Sequence, residues 1–144
     1  MGESATSNGP ETVPGGPATF HLLADTPWEQ RSKTPENLRA VADQASGSSA
    51  SGSPARRAQV TTGALGMHSQ LSEMPAGFTV PPHSHSAHEL MIILEGGCTI
   101  SGGQELTAGD MVEVPGGTEY GFTVGSDGIR FVVVRPEASI THLS

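Results

Sequence analysis

Cysteine is nearly missing from this sequence. Cys98 stands alone, which excludes an intrachain disulfide and suits a reducing compartment; its strand-like surroundings predict a buried, unreactive thiol. Long hydrophobic runs are missing too. The longest, Leu90–Leu94, is far too short to cross a bilayer, and no charged-then-apolar leader opens the chain. The expectation is a soluble, cytoplasmic protein with no membrane partner. Bases are scarce over residues 59–144, where nine acids face only Arg130 and Arg135, while residues 1–58 hold six acids against five bases; the net charge is -8. Such an acidic unit repels phosphate backbones and anionic lipid, and no helix-turn-helix pattern accompanies it, so no nucleic-acid partner is expected.

What is present divides in two. A length of 144 residues supports one domain of ordinary size and no second substantial core. Residues 1–58 read as an N-terminal region. Positions 1–18 are rich in Gly, Pro, Ser and Thr and predict a disordered tail. The island around Phe20, Leu22, Leu23 and Trp28 is hard to leave in water and reads as a packing segment, and Thr34 with Pro35 opens a short helix over 35–45. The stretch 46–54, SGSSASGSP, is a flexible Ser/Gly-rich linker. Residues 59–144 are different. Short apolar segments punctuated by glycine and proline predict an all-β unit, with strands near 59–73, 78–83, 88–94, 98–101, 111–114, 120–124 and 129–135. Gly102-Gly103 and Gly125–Gly128 read as hairpin turns between them.

The stretch GFTVPPHSHSAHELMIILEG, from Gly77 to Gly96, carries the chemistry. Side chains alternate faces along a strand, so His83, His85 and Glu89 share one parity and converge, while His88 has the opposite parity and points away. Two imidazoles and a carboxylate suit zinc, iron, nickel or manganese, and a set of two histidines and one carboxylate with open positions is the arrangement of non-haem iron enzymes. The same parity turns Met91 and Ile93 inward with Glu89, and groups Val112 with Val114, Tyr120 with Phe122, and Phe131 with Val133. Trp28, Phe78 and Ile100 fill gaps between them. Most of these are core residues with no chemical duty.

A second stretch, GDMVEVPGGTEYGF from Gly109, completes a pattern. Gly77, His83, His85, Glu89 and Gly96, followed by Gly109, Pro115 and Gly117, resemble the two signature boxes of the cupin superfamily. The resemblance departs where the family pattern expects a last histidine ligand and this chain has Tyr120, and again at Val124 in place of asparagine. It implies an all-β jelly-roll barrel, a double-stranded β-helix, with a largely disordered or loosely packed N-terminal region in which the island within 19–30 is an edge strand. It also implies one divalent transition metal per chain (Fe, Zn, Ni or Mn) on His83, His85 and Glu89, and a homodimer that covers the sheet edges. Tyr120 has three readings: a phenolate ligand, a general acid or base, or a packed side chain with its hydroxyl hydrogen-bonded. His68 and Gln70 share a parity that can reach the pocket; His21, Glu113, Glu119 and His142 read as solvated. The first functional expectation is a metal-dependent enzyme of dioxygenase, lyase, isomerase or cyclase type acting on a small polar molecule. The alternative is a non-catalytic barrel that binds a small ligand.

Overall fold

The computed structural model of this chain describes residues 15–30 and 55–143. The helix expected over 35–45, the linker over 46–54 and most of the tail therefore lie outside the described residues. A single 3₁₀ turn, Leu23–Asp25, precedes nine strands: β1 (Trp28–Gln30), β2 (Arg56–Thr62), β3 (His68–Met74), β4 (Thr79–His85), β5 (Glu89–Ile100), β6 (Glu105–Thr107), β7 (Met111–Val114), β8 (Tyr120–Arg135) and β9 (Thr141–Leu143). Among the described residues no helix is long and apolar enough to cross a membrane.

Every pairing is antiparallel, and the strands join one sheet in the order β1-β2-β3-β8-β4-β9, with β5 pairing β6, β7 and β8. The sheet curls into a half-barrel with open edges, consistent with a jelly-roll-like fold. β8 is its spine. The C-terminal half of β8 lies between β3 and β5, with Leu71↔Val132 and Ile92↔Val132 in register. Its first residues lie between β4 and the end of β5, with Val80↔Phe122 and Ile100↔Phe122.

Alternation builds the interior, as the parity of the sequence predicts. Met91 and Ile93 are buried with Glu89 on β5, and Phe122, Val124, Ile129, Phe131 and Val133 come from β8. Phe78 and Val80 join from the β4 side, and Ile100 and Val112 pack against the cluster from its rim. Phe122 and Phe131 meet edge to face, with centroids 5.9 Å apart, a geometry favoured by the aromatic quadrupole. Burial of each such side chain stabilises the fold by about 1.5–3 kcal/mol. On the outer face Glu73 joins Arg56 (2.8 Å) to Arg130 (2.9 Å), and the Arg56 guanidinium lies 3.9 Å over the Trp28 ring, fastening β1 to β2 and β3.

Local chemistry revises two sequence expectations and bears out a third. The strand expected over 59–73 breaks at a turn closed by the Gly66 N–H on the Gly63 carbonyl (3.0 Å), and becomes the β2–β3 hairpin. The Gly102-Gly103 hairpin is present, with the Gly103 N–H donating to the Ile100 carbonyl (2.9 Å). No reversal occurs at Gly125–Gly128. The register passes from Gly96↔Ile129 to Cys98↔Val124, so Gly97 alone opposes four residues and β8 runs on through a wide irregularity. Close approach makes this possible: a Cβ on Gly96 would lie 1.9 Å from the Gly128 carbonyl oxygen.

Candidate functional site

The sequence around β4 sets the geometry of the first histidines. Pro81 and Pro82 carry no N–H, and the β4–β8 register shifts between Val80 and His83, as expected where ladder donors are lost. His83 emerges buried and faces Tyr120 across the ladder, at 4.8 Å between ring centroids. His85 follows two residues on, and Thr141 of β9 pairs with it. The turn after β4 then delivers Glu89 at the start of β5, only 4 % exposed. His83, His85, Glu89 and Tyr120 thus meet at one place. His88 points away, exposed, and accepts the Gly116 N–H (2.9 Å).

A one-way chain of hydrogen bonds fixes the tautomers. The Pro81 carbonyl can only accept, so His83 Nδ1 donates to it (2.9 Å). In the neutral ring His83 Nε2 then accepts, and His85 Nε2 donates across 3.1 Å. That leaves His85 Nδ1 to accept from the Thr141 hydroxyl (2.9 Å). Glu89 is held separately. Arg135 donates from Nη2 (2.8 Å) and Nε (3.1 Å) to Oε1, and the Tyr120 hydroxyl donates to Oε2. His85 Nε2 is 3.5 Å from Glu89 Oε1.

This arrangement overturns the metal expectation. Among the described residues no group of three or more His, Cys, Asp or Glu side chains is disposed to hold a metal ion. The donor chemistry gives the reason. One imidazole nitrogen hydrogen-bonds the other, and the carboxylate is neutralised by a guanidinium on one oxygen and occupied by a phenol on the other. The divalent Fe, Zn, Ni or Mn cofactor on His83, His85, Glu89 and Tyr120 is therefore withdrawn. With it goes the metal-dependent enzyme. The Tyr120 hydroxyl is hydrogen-bonded to Glu89.

These side chains form one wall of a cavity of about 280 Å³. Met74, Val80, Phe122, Phe131 and Val133 supply an apolar floor, and Arg57, Gln59, His68 and Gln70 stand on the β2–β3 side. His68 and Gln70 line it, as their shared parity allows. Arg135, Thr141 and Arg57 were missed. Arg135 had a signal, since it continues the inward parity of Phe131 and Val133. Thr141 had none, because its strand is three residues long, and Arg57 lies before the segment read as β. His142, Glu113 and Glu119 are exposed.

Residues 70–135 match the family model described as Cupin domain. No curated protein matches the chain. Among solved structures, the polyketide cyclase RemF from Streptomyces resistomycificus is similar at 23% identity and TM-score 0.55, over 62% of this chain and 72% of that one. KdgF from Halomonas sp. is similar at 15% identity and TM-score 0.59, over 85% and 96%. An RmlC-like cupin protein from Ralstonia eutropha JMP134 is similar at 15% identity and TM-score 0.60, over 84% and 69%. At such identities the likeness is one of fold. The matched model and these folds lead to one assignment: residues 70–135 carry a cupin domain.

Proposed function

We propose that this chain is a non-catalytic binding protein that encloses a small organic molecule in the half-barrel. The observation that carries this reading is a cavity of about 280 Å³ with an apolar floor and a hydrogen-bonded polar wall. Such sites hold a ligand by shape and orient it with a few fixed polar groups. His83, His85, Tyr120 and Thr141 set that orientation, and because Tyr120 and Glu89 are buried their positions are fixed before binding. Val133→Trp fills the floor without touching the polar wall. Ligand-observed NMR with a fragment collection should give hits on the wild type that the filled variant loses; equal hit lists would overturn the reading.

The proposal extends to the surroundings of the site. The closed double-stranded β-helix is retained as the wall around a bound ligand, supported by β8 pairing with β4 at one end and β3 at the other. A cytoplasmic homodimer is retained as well, supported by the lone thiol and by open sheet edges that a second copy would cover. Sedimentation at working concentration should give twice 14.8 kDa; a monomer mass would remove that part.

A further inference from the structure

The wall opposite the histidines points to the class of ligand. The register Arg57↔Ser72 and Gln59↔Gln70 sets Arg57 and Gln70 on one face as diagonal neighbours, within reach of one shared group. Both line the cavity. The Arg57 side chain is 12% exposed and Gln70 only 7%. The ion pair of Arg57 runs from Nε to Glu29 at 3.4 Å, and the Glu29 side chain is 48% exposed, so this contact is long and open to solvent. Among the described residues the two Nη groups of Arg57 and the amide of Gln70 have no side-chain partner. An acceptor in the cavity would meet these donors.

Charge decides what that acceptor is. Glu89 is already neutralised by Arg135 at 2.8 Å, and Glu137 lies at the exposed mouth, where solvent screens it. The guanidinium of Arg57 is therefore the cationic group left to face a ligand. Its planar fork matches a carboxylate, which takes two parallel N–H bonds.

We propose that the ligand is a small monocarboxylate with an apolar body. Its carboxylate accepts from the Nη groups of Arg57 and from the Gln70 amide, and its body lies over Phe122, Phe131 and Val133. This rests on the ligand-binding reading above. Calorimetry with matched pairs tests it: benzoate against benzamide, phenylacetate against phenylacetamide, hexanoate against hexanamide. In the wild type at least one carboxylate should bind about tenfold tighter than its amide. Arg57→Gln should bring that ratio to about one with the amide unaffected, and Glu29→Gln, which removes the competing acid and leaves the guanidinium in place, should tighten the carboxylate severalfold. Equal binding within every pair, or a preference that survives Arg57→Gln, would overturn the carboxylate and leave the binding reading standing. Binding of neither member of any pair at millimolar concentration would overturn both. Should Arg57→Gln fail to fold, the wild-type ratio and Glu29→Gln decide the matter.

Discussion

Glu89 shows how a single residue's role depends on its partners. It is 4 % exposed, and a lone ionised carboxylate there would be prohibitive; Arg135 and Tyr120 make it tolerable. Arg135→Met should therefore destabilise the fold by about 3 kcal/mol in urea titration, because it strands a buried charge. The double change Glu89→Gln with Arg135→Met should recover more than half of that loss, which a double-mutant cycle measures directly. Cys98 is the simpler case. Burial pushes its thiol from 9.0 up to about 11, so the folded state favours the protonated form. The stability this contributes is complete below pH 9.0 and disappears as pH rises through about 11. Unfolding midpoints between pH 8 and 11 should fall more steeply for wild type than for Cys98→Ala, and iodoacetamide at pH 8 should label Cys98 only in denaturant.

At the scale of the element, glycines that look alike in sequence do different work. Gly96 has φ 72 and Gly77 has φ 78, both in the left-handed region. A Cβ at Gly96 would lie 1.9 Å from the Gly128 carbonyl oxygen, whereas at Gly77 nothing lies within 4 Å. Gly77→Ala should cost about 1 kcal/mol from conformation alone. Gly96→Ala should cost about 3 kcal/mol or more, since conformational strain and a backbone clash add and the β5–β8 pairing must part; thermal melts of the two variants check the contrast. Strand existence was legible where alternation ran for several residues, as in β5 and the end of β8. It was not legible for β6 and β9, each three residues long, where no period can be counted. The segment Gly125–Gly128 misled for a physical reason: two glycines three apart serve a hairpin or a bulge equally, and only the neighbouring strand chooses.

For the whole molecule, charge is the dominant feature. The chain carries -8 with a pI near 5.0, so turbidity should be greatest near that pH. A labelled DNA duplex titrated at low salt should show no anisotropy change, because few bases on residues 59–144 can release counterions. By itself, the sequence determined the strand-rich class, the inward residues and the shared face of His83 and His85. These depend on a two-residue period within one stretch of chain, and a period survives any arrangement of the rest. Tertiary structure alone decided the use of that cluster. Arg135 lies 46 residues beyond Glu89, and Thr141 lies 56 beyond His85. Pairing across β8 and β9 brings them in, turning lone pairs that resembled a metal's ligands into a satisfied hydrogen-bond network.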